Sequence, residues 1–472
     1  MQKTKMIFTI GPASDSKDIL TKLMEIGMNV TRLNFSHGTH EDHKIKMDLI
    51  KSLREELNKS VAIMLDIKGP KIRTHNFMGD TVAIDKGQKF VFSCGKEILG
   101  NKERCSVSYT ELYQDLKVDG TLLVDDGLIE FKIDSIEGTE INCTALNSGF
   151  IGNHKGINVP NISIGLPAVT DKDKLDLIFG CEQGVDIVAA SFIRKASDVI
   201  DVRNILNANG GEHIQIISKI ETQEGVDNID AIIEASDGIM VARGDMGVEL
   251  PIQKVPIVQK MIIHKCNKAG KPVITATQML DSMIRNPRPT RAEASDIANA
   301  IFDGTDAIML SGESANGKYP LEAALTMANI AIEAESNIDF KAALNKRNYE
   351  ALENISEGIS LATCNTADKL NVSAIITATQ SGYTARMVSK YRPRCPIIAV
   401  TPSKQVARGL SINFGLQTIL SIKLTSTDEL MADAVEKSLA AGYIKKGDIV
   451  IIAAGIPVGE SGTTNMMKIQ QV

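Results

Sequence analysis

The sequence predicts an α/β protein built on a closed (β/α)8 TIM barrel, with an inserted small β-barrel lid and a C-terminal α/β unit. Three observations predict it. Eight short apolar runs, each ending in polar or charged residues, read as buried parallel strands. Helix-like segments separate them, and in the second half the runs recur about every 25–35 residues, one βα unit each. Between the third and fourth runs the pattern gives way to short alternating segments, VAI, KFVFS, TLLVDD, LIEFKI and INCTAL, as expected of hairpins. These breaks place the catalytic barrel at 1–70 and 168–342, the inserted β lid at 71–167 and the C-terminal unit at 343–472.

In chain order, the first strand is predicted at Lys5–Ile10, followed by an amphipathic helix stopped near Gly27. Val30–Asn34 is the second strand, and Thr39 with Asp42 opens the next helix in a variant of the capping box. Val61–Asp66 is the third, apolar until its terminal aspartate. After the insertion, strands are predicted at Ile187–Ala190, Gln215–Lys219, Gly238–Ala242, Pro272–Thr275 and Ala307–Leu310. Helix punctuation agrees: Gly270 and Gly304 sit at C-termini, and Thr290 with Glu293 forms a capping box. Strands at Ala374–Ala378, Pro396–Val400 and Ile449–Ala453 complete the C-terminal unit.

Composition bounds the function. Of 472 residues 43% are apolar and 23% charged, which is ordinary for a soluble globular protein, and the length favours two or three domains. A net charge of −6 with no basic domain argues against a nucleic-acid surface. No apolar run reaches membrane-spanning length, and no signal-peptide pattern follows Met1. Seven scattered cysteines without a CxxC argue against zinc and against a disulfide framework. A cytoplasmic protein is expected.

Chemistry in such a barrel belongs at the C-terminal ends of the strands. Read in order, those positions deliver Arg32 and Asn34, Asp66, Ser191, Lys219 and Glu221, Arg243 and Asp245, Thr275 and Thr277, and Ser311. Glu221 and Asp245 come from adjacent strands, and two carboxylates completed by water and substrate oxygens suit Mg²⁺. Lys219, two residues before Glu221, can project to the same side, where an ammonium suits charge on a transferring phosphoryl group. The bland alternative is a plain ion pair between Lys219 and Asp245. Lys68, Lys71 and Arg73 at the entrance of the insertion, and Lys155 near its exit, add cations to a lid hinged at Pro70 and Pro167. In the C-terminal unit, the TQSGYT segment leads into a helix near Thr384, whose N–H groups and hydroxyls suit an anion, with the loop GIPVGESGTTN as its other wall.

The segments MNVTRLNFSHG, LDIKGPKIRT, KGINVP, ASFIRK, ISKIE, GIMVARGDMGVE, TATQMLDSMIRNPRPTRAE and MLSGESANGKYP together resemble the pyruvate kinase family, in order and over essentially the whole chain. The form it resembles is the bacterial one that starts at the barrel and lacks a C-terminal extension. The resemblance implies phosphoryl transfer from phosphoenolpyruvate to ADP with Mg²⁺ or Mn²⁺. It implies that Arg32 and the backbone of Gly244 and Asp245 hold the substrate, and that Lys219 stabilises the transferring phosphoryl. Glu221 and Asp245 then bind the divalent ion, and Thr277 assists protonation of the enolpyruvate. Asn34, Phe35, Ser36, His37, Arg73 and Lys155 contact the nucleotide. It implies a K⁺ held by Asn34, Ser36, Asp66 and the carbonyl of Ile67. Lys71 stands where the family commonly has Glu, and an ammonium there is expected to take the place of K⁺. It also implies a homotetramer and a phosphorylated effector at Thr379, Gln380, Ser381, Gly382 and Thr384. The rival reading is a Mg²⁺-dependent carbon–carbon lyase working through a pyruvate enolate on the same barrel.

Overall fold

A computed structural model of the chain describes residues 2–160, 162, 164–347, 352–457 and 462–472. Eight parallel strands close a barrel: β1 (Lys5–Thr9), β2 (Val30–Asn34), β3 (Ala62–Asp66), β4 (Ile187–Ala190), β5 (Gln215–Ile220), β6 (Gly238–Ala242), β7 (Val273–Ala276) and β8 (Ala307–Leu310). Each pairs with its sequence neighbours, and β1 closes on β8 with Lys5 opposite Ala307. The strands read as unbroken apolar runs because both faces are covered. Inward side chains such as Ile7, Met64, Ile217 and Met240 fill the interior, while Phe8, Leu65 and Ile216 pack under the helices.

The helices start and stop where local chemistry dictates. Thr39 with Asp42, Thr170 with Asp173 and Thr290 with Glu293 each form a reciprocal capping box. The segment between β5 and β6, expected as one helix, is two short ones, Gln223–Asp227 and Ile229–Ala235.

Between β3 and β4 the chain builds a separate body. Its hydrogen bonding forms an open seven-stranded sheet and a two-stranded ribbon, Thr81–Ile84 with Gly149–Gly152, rather than one closed ladder among the described residues. Phe90, Phe92 and Phe131 centre its core, with edge-to-face ring contacts 5.0 and 5.1 Å apart.

The C-terminal sheet runs Leu416–Leu420, Ile397–Thr401, Ala374–Ala378, Ile449–Ala454, all parallel, then Met466–Gln471 antiparallel at the edge. The strands at 416–420 and 466–471 were not expected from the sequence. Both lie at sheet edges and are half exposed, so neither shows the buried apolar run that marks the central three. This unit docks under the N-terminal ends of the barrel strands. Ile412 enters the barrel's interior cluster, fully buried, and closes its floor. Around it, Arg408 Nε donates to Asp186 at 2.6 Å, Phe414 N to Asp306 at 3.2 Å, and Arg392 pairs with Asp306 at 3.1 Å.

Candidate active site

The rim opposite that floor collects the polar strand ends. Lys219, near the end of β5, is buried; its Nζ lies 2.6 Å from Ser191 Oγ, 3.2 Å from Asp66 and 3.2 Å from Glu221. Asp66 ends β3 and also accepts from Arg32 Nε at 2.6 Å, while Arg32 Nη1 reaches Thr9 Oγ1 at 2.9 Å. Five strand ends thus converge on one network of two cations and two carboxylates. Burial would raise the Asp66 carboxyl, but Arg32 and Lys219 outweigh it and hold it below its usual value. Burial would likewise lower Lys219, and Asp66 with Glu221 more than offsets it. Glu221 is different. Burial pushes its carboxyl up to about 7; Lys219 opposes this and the nearby charge of Asp245 adds to it. Lys219 keeps its own proton, with Asp66 as a second counterion beside Glu221.

Asp245 follows β6 in the short helix Arg243–Glu249. The alternative pairing of Lys219 with Asp245 is not formed. Asp245 accepts instead from Lys71 Nζ at 2.8 Å, and the same ammonium bridges to Asp126 at 3.2 Å. This corrects the expected position of Lys71, which is bonded to neither Asn34, Ser36, Asp66 nor the Ile67 carbonyl. The Ile67 carbonyl accepts from Ser191 Oγ at 2.7 Å, and the Asn34 side chain accepts from Ser36 N at 3.1 Å. Lys71 belongs to the insertion, and Asn158 Nδ2 donates to Glu249 at 2.8 Å, so the insertion leans on this helix at two points.

Backbone strain concentrates on the same rim. Phe192 has φ 55°, Thr277 φ 74° and Gln278 φ 55°, a left-handed conformation costly for bulky or β-branched residues. Each is held by neighbours: Phe192 N donates to Glu221 at 2.6 Å, and Arg243 Nη2 donates to the Thr277 carbonyl at 2.7 Å while Nη1 is clamped by Asp296. Gly244 is required by close approach, because a Cβ there would meet Thr277 Cγ2 at 2.8 Å. Sequence reasoning missed Phe192, Asp125 and Asp126. The signal for the last two was present in VDDG, whose Asp125, Asp126 and Gly127 all take positive φ, as a tight turn demands.

Arg32, Asn34 and His37 line a cavity of about 820 Å³ with Thr9, Pro12 and Ser311. Phe35 does not face it: its ring is buried and stacks on His43, centroids 3.9 Å apart. Arg73 and Lys155 sit on the insertion outside this cavity. Arg73 donates to the His154 carbonyl at 2.9 Å and Lys155 pairs with Asp125 at 3.0 Å. In the C-terminal unit, Thr379, Gln380, Ser381 and Thr384 line a narrow slot of about 50 Å³ with Tyr383 and Lys423. Thr379 Oγ1 accepts from Gly382 N at 3.0 Å and the Thr384 hydroxyl pairs with that of Thr464 at 2.8 Å, so both serve the slot's own structure. Of the loop expected as its other wall, Val458–Ser461 lie outside the described residues, while Gly455, Gly462 and Thr463 line the slot.

The pyruvate kinase barrel-domain family matches residues 1–324, and the pyruvate kinase alpha/beta-domain family matches 357–470. The chain belongs to the pyruvate kinase family. It is 62% identical over 472 residues to a pyruvate kinase of Clostridium acetobutylicum, covering 100% of both chains. Identity is 58% over 477 residues to that of Clostridium perfringens, again covering 100% of both. With the pyruvate kinase of Geobacillus stearothermophilus it is 51% over 473 residues, covering 100% of this chain and 80% of the relative. A crystal structure of a pyruvate kinase from Cryptosporidium parvum superposes with a TM-score of 0.95 at 40% identity, covering 100% of this chain and 96% of that one. Its reaction is that of a pyruvate kinase: the phosphoryl group of phosphoenolpyruvate passes to ADP, giving pyruvate and ATP, an ATP-forming step of glycolysis. These relatives are kinases, so the carbon–carbon lyase reading has no support.

Proposed function

We propose that Lys219 is the group that carries phosphoryl transfer on this rim. The observation behind this is its ammonium, buried and fixed by Asp66, Ser191 and Glu221 at the barrel mouth. A preorganised cation there stabilises charge on the phosphoryl oxygens without having to reorient during the reaction. Arg32, whose guanidinium is held by Asp66 and Thr9, and the backbone of Gly244 and Asp245 hold phosphoenolpyruvate. Thr277, kept in its strained backbone by Arg243, assists protonation of the enolpyruvate through water.

Glu221 and Asp245 are hard oxygen donors at the ends of adjacent strands, and burial, with the like charge of Asp245 adding to it, raises the Glu221 carboxyl, a strain that a bound divalent cation would relieve. Both features fit Mg²⁺ or Mn²⁺, which would supply charge neutralisation between substrate oxygens and protein. Asn34, Ser36 and His37, with the backbone of Phe35, bind ADP from the 820 Å³ cavity, and closure of the lid 71–167 brings Arg73 and Lys155 over it and excludes water. The domain division 1–70 with 168–342, 71–167, and 343–472 is part of this reading. So are a phosphorylated effector in the slot at Thr379–Thr384 and assembly as a homotetramer. A cytoplasmic location is supported by seven free cysteines; no helix among the described residues is long and apolar enough to cross a membrane.

The deciding variant is Lys219→Met. It is expected to abolish pyruvate formation from phosphoenolpyruvate and ADP while Mn²⁺ binding, read by electron paramagnetic resonance, stays within a few-fold of the parent. Near-normal turnover would refute the role given to Lys219.

A further inference from the structure

On the face of the barrel away from the active site, the junction with the C-terminal unit encloses a cavity of about 270 Å³. Its walls carry Arg54 and Lys59 from the end of the helix His40–Glu56 and the loop after it, and Lys404 and Arg408 from the helix Lys404–Gly409. Glu55, Ile419 and Tyr443 also line it. We propose that this cavity binds a small phosphorylated ligand, a sugar monophosphate, at a site separate from the slot at Thr379–Thr384.

Charge is the first argument. Four cations on the wall face one lining carboxylate, Glu55, with Asp186 beneath and Glu25 near Lys59, which leaves a concave, partly dehydrated space net positive. A phosphate monoester above pH 6 carries between one and two negative charges and offers several acceptor oxygens. The unused donors are the second argument. Asp186 accepts from Arg408 Nε at 2.6 Å and Arg54 Nη1 at 3.3 Å, which fixes both guanidiniums without consuming them. The Nη groups of Arg408 have no hydrogen-bond partner among the described residues, and Arg54 Nε is buried without one. Burial and the neighbouring Arg408 charge lower the Arg54 pKa while Asp186 opposes them, so an added anion would relieve an existing repulsion. Lys59 spends one donor on the Met24 carbonyl at 2.6 Å, and the Lys404–Glu55 pair is more than half exposed and cheap to open. Two arginines fixed side by side suit the planar, bidentate recognition of phosphate. The volume admits a pentose or hexose monophosphate, with Ile419 and Tyr443 against the sugar.

Both cavities flank the helix Lys404–Gly409: Pro402, just before it, lines the slot, and the helix runs on into Ile412 in the barrel floor. A ligand bridging Lys404 and Arg408 to Arg54 and Lys59 would therefore tie the C-terminal unit to the barrel.

The test is isothermal titration of the full chain with ribose 5-phosphate and with inorganic phosphate. The double variant Lys59→Gln/Lys404→Gln leaves the Arg54–Asp186–Arg408 contacts in place. It is expected to weaken a saturable site at least tenfold, whereas Lys423→Gln in the slot leaves that site unchanged. Affinity should also fall as pH drops through 6. Equal affinity of the double variant and the parent would overturn the proposal, as would a loss confined to Lys423→Gln or the absence of saturable binding for either probe. If the double variant melts earlier than the parent, Lys404→Glu alone decides, since that side chain is 57% exposed.

Discussion

Lys71 stands where the resemblance implies a glutamate, and the structure gives its charge a definite address. The ammonium neutralises Asp245 and Asp126, and those two carboxylates hold it above its ordinary pKa despite burial. The fixed monovalent charge thus lies at Asp245, the carboxylate proposed to bind the divalent metal, instead of among Asn34, Ser36 and Asp66. We expect the wild type to turn over in buffer free of K⁺ and Na⁺, and Lys71→Gln to lose activity there and regain part of it on adding K⁺. Strong K⁺ stimulation of the wild type would sink this assignment. The oddity of Lys71 was legible in KGPKIRT; its partner was not, because Asp245 lies 174 positions away and only the fold brings them together. The same holds for Phe192, whose strain follows from the Glu221 carboxylate it must serve.

At the scale of elements, barrel strands were the most legible part of the chain. Strands buried on both faces must be apolar throughout, so Val30–Asn34, Ile187–Ala190, Gly238–Ala242 and Ala307–Leu310 stand in the sequence with the bounds they have in the structure. Edge strands carry no such mark, and Met466–Gln471 reads as polar. Nor does a local pattern reveal that the segment Leu410–Ile412 serves another domain's core. Ile412 is fully buried inside the barrel, so Ile412→Ala should cost about 2–5 kcal/mol, seen as a lower denaturant midpoint. Turnover at the far rim should change much less. A variant as stable as the parent would mean that this side chain does not seal the floor.

The whole molecule has an alkaline weakness built from its cysteines. Burial raises all seven thiols, Cys94 and Cys395 to about 11 and Cys143 to about 12. A group whose folded pKa lies above its unfolded value contributes stability that is complete below the unfolded pKa and is lost as pH climbs toward the folded one. Lys5, lowered to about 8 by burial, works the other way, as do Lys3, Lys51, Lys59, Lys68 and Lys271, but the seven thiols together with the raised Tyr109 and Tyr443 outnumber them. The guanidinium midpoint should therefore fall steadily from pH 9 to pH 11, and the native protein should resist thiol reagents that label the unfolded chain quickly. A flat profile would contradict the burial of these thiols.

The plug at Ile412 also sets a schedule for the chain's birth. A ribosome delivers β8, the last barrel strand, about a hundred residues before it delivers the side chain that closes the floor. At about 5–20 residues per second a nascent barrel spends roughly 5–20 s with its base open and β1 lacking the Leu416 carbonyl that Lys5 bonds in the finished molecule. Through that interval its exposed apolar floor is the surface on which a chaperone, or a second nascent barrel, would first take hold.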